Sequence, residues 1–260
     1  MDKKSFEGVM YEYTEWPGDQ IPYNDLHFIS HRYEKVLSLS DSKDILEIGS
    51  GSSIAKKEIS TVAKSYTGID ISKENILRIN KECKDLNLSL YVGNAEDMLF
   101  DDNSFDLVIA LAMVYYLDVD NFLSEVKRVL RPGGTLFFCT SNMDVPGFMP
   151  APGSKKYFSV NEWRQLLNKF GFKTNIEVAF PQKSFIKLGA RAKLISFMKL
   201  LFINVLGLSS LWKKTRELSK GSLIEIPNEL NKFPKHQVKS SQIKDLKDKT
   251  HKIIYFTCFK

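Results

Sequence analysis

The stretch Asp44-Ile-Leu-Glu-Ile-Gly-Ser-Gly-Ser-Ser53 decides the fold. It places a short apolar strand, Asp44–Ile48, directly before Gly49 and Gly51, where the missing Cβ lets the backbone turn tightly and approach a ligand closely. A second strand candidate ends in Asp70, about twenty residues further on, where a carboxylate can accept hydrogen bonds from both hydroxyls of a ribose. Taken singly, the two features are also explained by an ordinary strand-to-helix turn and a helix-capping aspartate. Together they favour an adenosine ligand.

Outward from this stretch, β-branched runs alternate with amphipathic segments up to residue 180, which is typical of a parallel sheet covered by helices. The further strand candidates are Ser65–Ile71, Leu88–Val92, Phe105–Leu111, Thr135–Thr140, Phe172–Phe180 and His251–Phe259. The helix candidates are Tyr33–Leu39, Ser72–Asn87, Asp120–Leu130 and Val160–Phe170. About seventy residues separate the last two strands, so residues 181–250 are predicted to be an insertion with helices of its own.

The composition is that of a globular chain. Its 260 residues are 43% hydrophobic and 26% charged, which suits a sizeable core and excludes disordered and collagen-like classes. The cysteines Cys83, Cys139 and Cys258 are isolated and lack a nearby histidine pair, so no metal site is predicted. The first residues contain no apolar signal segment, so we expect a cytoplasmic protein.

The net charge of +6 is unevenly distributed along the chain. Residues 181–260 hold 17 Lys or Arg against 5 Asp or Glu, which leaves the preceding residues with a net charge of −6. Within this basic part, Leu194–Trp212 is nearly all apolar, and the charge of Lys199 argues against a membrane span. We therefore predict that residues 187–216 form either a helical cap over the domain or a peripheral helix on the inner membrane surface.

Five sequence blocks in unbroken order resemble the class I S-adenosylmethionine-dependent methyltransferases: ILEIGSGSS, GIDIS, GNAEDMLFDDNSFDLVIA, EVKRVLRPGGTLFF and YFSVNEWRQLLNKFGF. The resemblance covers about residues 30–180. It implies an α/β, doubly wound, Rossmann-like sheet of seven strands with the last strand antiparallel, and S-adenosyl-L-methionine as the cofactor. Ser53 and Asn94 depart from the family pattern, which has a third glycine and commonly an aspartate there.

The resemblance also implies which residues bind the cofactor, all of them at the ends of the first four strands of the domain. They are Glu47, Gly49, Ser50 and Gly51 along the methionine and ribose, Asp70 on the ribose, Ile71 against the adenine, Asn94, Ala95 and Glu96 at the adenine edge, and Ala110 and Leu111 facing the sulfonium.

Candidates for a residue that steers or deprotonates the acceptor are sparse. A sulfonium already makes its methyl group electrophilic, so alignment of the acceptor is the main requirement. Tyr115 follows the fourth strand, at the edge where ligands bind in such sheets, although it is equally explained by core packing. His27 opens the HxxxHRY segment, which resembles methyltransferases that accompany glycan assembly, and Asp144 is a candidate base after the fifth strand.

We therefore predict an N-terminal lid in residues 1–30, a methyltransferase domain in residues 31–180 and 251–260, and the basic helical insertion between them. Instead of forming a lid, the aromatic rings of residues 1–30 could simply pack on the edge of the sheet. The predicted reaction is O-methylation of a small acceptor such as a sugar or lipid-linked glycan precursor. The alternatives are methylation of a prenylated quinone or other apolar small molecule, and a non-catalytic, membrane-recruited binding protein.

A nucleic-acid substrate is disfavoured for two reasons. Leu111-Ala-Met-Val stands where base-modifying relatives carry Asn/Asp-Pro-Pro-Tyr/Phe, and the basic part lacks a recognisable nucleic-acid module. A small-molecule or lipid-linked partner is expected instead. The oligomeric state does not follow from the sequence.

Overall fold

A computed structural model describes residues 15–52, 54–181, 223–235 and 238–260 of the chain. The predicted cap or interfacial run Leu194–Trp212 lies outside the described residues, as do Ser53 and most of the predicted lid. In the described ranges, none of the helices combines the length and the apolar character that a membrane crossing requires.

The strands in chain order are β1 (Gln20–Pro22), β2 (Asp44–Ile48), β3 (Ser65–Asp70), β4 (Ser89–Val92), β5 (Phe105–Leu111), β6 (Leu130–Ser141), β7 (Lys173–Pro181), β8 (Leu223–Glu225), β9 (Ser241–Gln242) and β10 (His251–Phe259). The α-helices are α1 (Tyr23–Leu39), α2 (Lys56–Val62), α3 (Lys73–Glu82), α4 (Val119–Val129) and α5 (Val160–Lys169). Short 3₁₀ turns lie at Val114–Tyr116 and Leu230–Lys232.

The main sheet has the strand order β4-β3-β2-β5-β6-β10-β7-β9. The first five strands in this order are parallel, and β10 runs antiparallel to both β6 and β7. This confirms the predicted doubly wound sheet with an antiparallel last strand. The count is eight rather than seven because the two-residue β9 pairs with β7 at the outer edge.

Amphipathic helices cover both faces of this sheet because their apolar residues recur at helical spacing. On one face, α4 begins at Asp118, whose side chain accepts from the Asn121 N–H, and α5 begins with a capping box between Ser159 and Glu162. The other face is covered by α1 and α2, which pack on apolar residues of the central strands. The carboxyl ends of the parallel strands remain as the edge where ligands bind in such sheets.

One sequence prediction needs correction, and another stays a prediction. The first helix begins at Tyr23, directly after Pro22, rather than at Tyr33, because Leu26 and Ile29 extend its buried face by about two turns. The insertion was predicted to have helices of its own, and this stays a prediction because its apolar run lies outside the described residues; its described ranges, 223–235 and 238–250, contain short strands and one 3₁₀ turn and no α-helix. Here β8 is held as a strand because it pairs antiparallel with β1.

Candidate functional site

The glycine turn after β2 is held close to both neighbouring strands. Gly49 has φ +66°, and a Cβ added to it would lie 3.1 Å from Cγ of Met113, which follows β5. The N–H of Ser50 donates to the carbonyl oxygen of Ile69 in β3, at 2.9 Å. The turn therefore needs glycine for its backbone conformation and for the close approach of Met113.

Asp70 ends β3 beside this turn. Its Oδ2 accepts from the Gly51 N–H and its Oδ1 accepts from the Ser72 N–H, each at 2.8 Å. The residue is 8% exposed, and burial raises the pKa of its carboxyl group against the opposing effect of the two N–H donors. A carboxylate has about four acceptor positions, and the Gly51 and Ser72 N–H groups and the Asn75 side chain use part of them, so Asp70 retains the capacity to accept from a ribose hydroxyl. Ile71, which follows it, is 44% exposed.

A buried ion pair lies beneath the glycine turn. Lys56 Nζ donates to Glu47 Oε2 at 2.8 Å and to the Ser50 carbonyl oxygen at 2.9 Å, and its side chain is fully buried. The hydroxyl of Tyr66 also hydrogen-bonds to Glu47 Oε2. Burial and the negative charge of Glu47 raise the pKa of Tyr66 well above 10, so the phenol is a neutral donor. Glu47 thus has internal partners, and its contact with a cofactor stays a prediction.

The loop after β4 forms another part of the rim. Asn94 Oδ1 accepts from the Glu96 N–H at 3.0 Å, and Ala95 packs in the core. Glu96 Oε1 accepts from the Asp118 N–H at 2.8 Å and from Lys155 Nζ at 2.9 Å. Glu96 therefore ties together three loops that approach the carboxyl edge of the sheet.

The end of β5 adjoins the glycine turn because Ala110 lies opposite Ile48 in the parallel register. Ala110 is fully buried and Leu111 is partly buried. All eleven residues that the resemblance assigns to the cofactor therefore lie at the carboxyl edge of β2, β3, β4 and β5 or in the loops that leave it. Their contacts with a cofactor stay a prediction.

Aromatic rings cluster after β5. Tyr115 stacks on Tyr157 with ring centroids 4.4 Å apart and an interplanar angle of 16°, and Phe148 meets Tyr157 edge-on at 4.7 Å. Tyr116 lies against Tyr115, with centroids 4.7 Å apart. We call these four residues the aromatic cluster. Burial raises the pKa of Tyr115 well above 10, so its phenol is protonated at neutral pH and acts by contact or donation rather than as a base.

The other two catalytic candidates lie on separate elements. His27 is on α1, with its ring edge-on to Tyr23 at 4.8 Å. Asp144 follows β6, and its N–H donates to Oδ1 of the buried Asn142. The structure thus places Asp144 and Tyr115 after neighbouring strands at one edge, whereas His27 approaches from a helix. A catalytic role for any of the three stays a prediction.

The described part of the N-terminal segment is packed on the domain. Trp16 is buried against Ile79 of α3 and against Cys83, which follows this helix, and the Arg78 guanidinium lies 3.8 Å from the centroid of the indole ring. This arrangement favours the packing alternative for Trp16. A lid formed by the earlier residues stays a prediction.

Three residues near the site were missed by sequence reasoning. Lys56 begins a helix and resembles an ordinary exposed lysine, and Tyr66 resembles a core residue of β3, so neither pattern signals the charged network. Met113 lies in a loop without periodicity, and its contact with Gly49 arises only from the pairing of β2 with β5. No local signal in the sequence identifies these contacts.

Comparison with known proteins agrees with this geometry. Residues 46–138 match the family model described as methyltransferase domain. The chain is 32% identical over 110 residues to a demethylmenaquinone methyltransferase of Tropheryma whipplei, covering 40% of this chain and 44% of the relative. It is 37% identical over 113 residues to a phthiotriol/phenolphthiotriol dimycocerosates methyltransferase of Mycobacterium leprae, covering 42% and 41%. The chain thus spans less than half the length of these curated relatives.

Solved structures share the fold. The YcgJ protein of Bacillus subtilis superposes with a TM-score of 0.54 at 16% identity, covering 88% of this chain and 98% of that one. The [4+2]-cyclase SpnF superposes with a TM-score of 0.52 at 16% identity, covering 92% and 80%. The fold is that of the class I S-adenosylmethionine-dependent methyltransferases, and residues 46–138 match the methyltransferase domain model. This confirms the resemblance stated from the sequence.

Proposed function

We propose that the protein transfers a methyl group from S-adenosylmethionine to an apolar, lipid-like small molecule. The observation that carries the proposal is the hydrogen bond from the Gly51 N–H to Asp70, which joins the glycine turn to a carboxylate with free acceptor capacity. This pairing lies where the parallel strands β3, β2 and β5 end, the place at which doubly wound sheets bind nucleotides.

The residues present fit the cofactor. Gly49 leaves the turn without a Cβ, Asp70 has acceptor positions for the ribose, and the exposed side chain of Ile71 offers an apolar surface for the adenine. Bound S-adenosylmethionine supplies a methyl group on a positively charged sulfur, which needs little activation. The task of the protein is therefore to hold the acceptor in line with that methyl group and to exclude water.

The aromatic cluster supports an apolar acceptor. Tyr115, which follows β5, stacks on Tyr157, which follows β6, so the two rings offer a flat apolar surface. The protonated phenol of Tyr115 can donate a hydrogen bond to an oxygen of the acceptor. The names of the two relatives, a demethylmenaquinone methyltransferase and a phthiotriol/phenolphthiotriol dimycocerosates methyltransferase, support the same class of acceptor.

Two further readings of the sequence remain predictions. A sugar or lipid-linked glycan precursor as acceptor rests on the HxxxHRY segment, whose His31 is buried with Nδ1 2.8 Å from the Tyr255 hydroxyl. A non-catalytic role rests on the internal partners of Glu47 and Asp70. Neither reading has an observation that favours it over transfer to an apolar acceptor.

The test is a transfer assay with S-adenosylmethionine labelled in its methyl group. Acceptors are supplied as an organic extract of bacterial lipids and quinones and, in parallel, as a mixture of nucleotide-sugars. We expect label in the organic extract with the wild-type protein and a loss of about tenfold or more with Tyr115→Ala, because a stacking surface is removed. Label only in the sugar fraction would contradict the apolar acceptor, and no label in either fraction, with the cofactor bound, would contradict catalysis on these acceptor classes.

A further inference from the structure

An aspartate and a histidine are paired at the start of β10, the strand that runs antiparallel to β6 and β7. Nδ1 of His251 lies 2.7 Å from Oδ2 of Asp248, and the backbone N–H of His251 donates to Oδ1 of the same carboxylate at 2.9 Å. The N–H of Thr250 donates to Oδ1 as well, at 2.6 Å. The pair is therefore held by the turn before β10 as well as by the contact between its side chains.

The ionised carboxylate of Asp248 decides which nitrogen of the histidine carries a proton. Burial alone would raise the pKa of Asp248, but the N–H groups of Thr250 and His251 and the His251 ring outweigh burial and hold this pKa below its usual value. A carboxylate can only accept, so Nδ1 is the donor, and a neutral ring then has its lone pair on Nε2. Among the described residues Nε2 has no hydrogen-bond partner, and the side chain is 24% exposed. A histidine oriented in this way by a carboxylate can take a proton from a hydroxyl group.

The register of the sheet places His251 at its carboxyl edge, near the end of β5. Leu111, which ends β5, lies opposite Cys139 of β6, whereas Ser141 of β6 lies opposite Ile253 of β10. Thus β6 and β10 continue past the end of β5, and His251 lies on the part that projects. Neighbouring strands are about 4.8 Å apart, so β10 is about 10 Å from β5 across the sheet. The projecting ends flank the space above the end of β5.

A buried asparagine ties the pair to the loop after β6. Asn142 is 1% exposed, and its Nδ2 donates to the carbonyl oxygens of Asp248 at 2.8 Å and of His251 at 2.9 Å. Its Oδ1 accepts from the Asp144 N–H at 3.0 Å. One buried side chain thus fixes the backbone of the pair and the start of the loop in which Asp144 lies.

The same loop leads from the pair to the aromatic cluster. The Val145 N–H donates to the carbonyl oxygen of Asn142 at 3.4 Å, and the Phe148 N–H donates to the carbonyl oxygen of Val145 at 3.0 Å. Phe148 belongs to the aromatic cluster, which contains Tyr115. Two successive turns of the chain therefore connect the asparagine that holds the pair to the surface proposed for the acceptor.

The groups around His251 leave Asp248 as its ionic partner. Its own turn also supplies the Thr250 hydroxyl, which lies 3.0 Å from Nδ1. On the β7 side, His251 lies opposite the uncharged Pro181. The adjoining Lys252 has its ammonium group 5.8 Å from the centroid of an aromatic ring of α1. In the part of the chain that the structure describes, the charge in direct contact with the imidazole is thus the Asp248 carboxylate.

We propose that His251 is the general base of the methyl transfer, that Asp248 is its positioning residue, and that the methylated group of the acceptor is a hydroxyl. Nε2 takes the hydroxyl proton as the acceptor oxygen forms its bond to the methyl carbon, and the electron pair of the breaking carbon–sulfur bond stays on sulfur. The products are a methyl ether, S-adenosylhomocysteine and an imidazolium, which returns its proton to water. The inference rests on the proposed function and deepens it, because it names the group on the apolar acceptor that reacts.

The experiment is a pH–rate profile of the full chain with methyl-labelled S-adenosylmethionine and the organic extract of bacterial lipids and quinones. The variants are His251→Gln, His251→Ala and Asp248→Asn. Asp245→Asn is the matched control, because Asp245 is an exposed carboxylate in the same loop. Calorimetric titration with S-adenosylhomocysteine and urea unfolding verify that each variant is folded and keeps its cofactor site.

We expect His251→Gln to lower kcat by about 10²- to 10⁴-fold, to keep the affinity for S-adenosylhomocysteine and to lose the ionisation that slows the wild-type protein in acid. Imidazole added to His251→Ala should restore part of the rate, which it would not do for a side chain that only supports the turn. Asp248→Asn should lower kcat by about tenfold or more, and Asp245→Asn should leave it unchanged. An unchanged pH profile in His251→Gln, or undiminished label after the hydroxyl groups of the extract have been acetylated, would overturn the inference.

A wild-type protein that transfers no label contradicts the proposed function instead, and nitrogen NMR then decides whether Asp248 orients His251 as a base. The chain has four histidines, so the ¹⁵N signals of His251 are assigned as those missing from His251→Ala. A neutral ring that is protonated on Nδ1, with this preference lost in Asp248→Asn, supports the oriented base. A neutral ring that is protonated on Nε2 overturns it.

Discussion

Oδ2 of Asp70 accepts a hydrogen bond from the backbone N–H of Gly51 at 2.8 Å. The main-chain oxygen of Asp70 accepts from the Gly93 N–H at 3.0 Å, and its Oδ1 accepts from the Ser72 N–H at the start of α3. One residue therefore joins the turn after β2, the start of α3 and the loop after β4. The shape of the candidate cofactor site depends on this residue as well as on any ligand contact that it makes.

The buried pair beneath the turn predicts a large loss of stability on substitution. Lys56→Met leaves the Glu47 carboxylate buried without its cation, so we expect the free energy of unfolding to fall by about 3–5 kcal/mol in urea titrations. Lys57→Met is the matched control, because its side chain is 65% exposed and its loss should cost less than about 0.5 kcal/mol.

The double variant Lys56→Met/Glu47→Gln distinguishes an unpaired charge from lost packing. It should recover a large part of the stability lost in Lys56→Met, because no buried charge remains without a partner. Equal stability of the single and double variants would contradict this explanation. Equal losses for Lys56→Met and Lys57→Met would contradict the burial of the pair.

We expect a side chain added at Gly68 in β3 to disturb the packing of the glycine turn. A Cβ at this position would lie 2.7 Å from Cδ2 of Leu90 and 3.0 Å from Cβ of Ser50. Gly68→Ala should therefore lower the free energy of unfolding by about 1–3 kcal/mol and weaken cofactor binding, since Ser50 must shift. Leu90→Ala in the same chain should restore stability more than binding, because the contact with Ser50 remains. Wild-type cofactor affinity in Gly68→Ala would show that the turn does not depend on this contact.

Variants of Tyr115 distinguish a role in contacting the acceptor from a role in proton transfer. Because its phenol is protonated at neutral pH, Tyr115→Phe should leave the pH dependence of kcat unchanged, and a lost hydrogen bond should reduce kcat/KM by no more than about tenfold. Tyr115→Ala removes the stacked ring and should raise KM more strongly. The measurement is a pH–rate profile of methyl transfer with each variant. A profile that loses an ionisation in Tyr115→Phe would assign proton transfer to this residue.

Asp44 lies at the opposite end of β2 from the glycine turn. We expect its contribution to the free energy of unfolding to be lost in acid. Hydrogen bonds from Lys64 and Ser65, with a further contribution from Arg131, hold the pKa of Asp44 well below its usual value. Its stabilising effect is therefore complete above the pKa of an unfolded aspartate, about 3.9, and is lost as the pH falls through the lower, folded value. Asp44→Asn should cost about 1–2 kcal/mol at pH 7 and progressively less at lower pH. A pH-independent cost would contradict this account.

The parallel core of the fold was predictable because each of its strands is a local apolar run. Asp44–Ile48 and Phe105–Leu111 were predicted with the bounds that the structure has, and the first ends at glycines whose role is steric. The strands β8 and β9 were not predictable, since three-residue and two-residue strands form only through their partners, β1 and β7. The position of Asp70 at the end of its strand was also predictable, because that strand is a local apolar run.

The charged contacts were not predictable for the same reason. Lys56 is buried only because Glu47 and the Ser50 carbonyl meet it in space. The beginning of α1 was missed because buried Ser30 and His31 interrupt the apolar pattern on which the prediction depends. Tertiary contacts decide each of these positions.

The central claim is that the glycine turn and Asp70 form a cofactor site. Calorimetric titration with S-adenosylhomocysteine tests it most directly, with Asp70→Asn as the variant and Asp44→Asn, at the other end of the same strand pair, as the control for stability. We predict micromolar binding to the wild-type protein and to Asp44→Asn, and a loss of about tenfold or more in Asp70→Asn. Absence of binding to the wild-type protein, or equal affinity in Asp70→Asn, would contradict the account and leave the glycine turn and Asp70 with a structural role only.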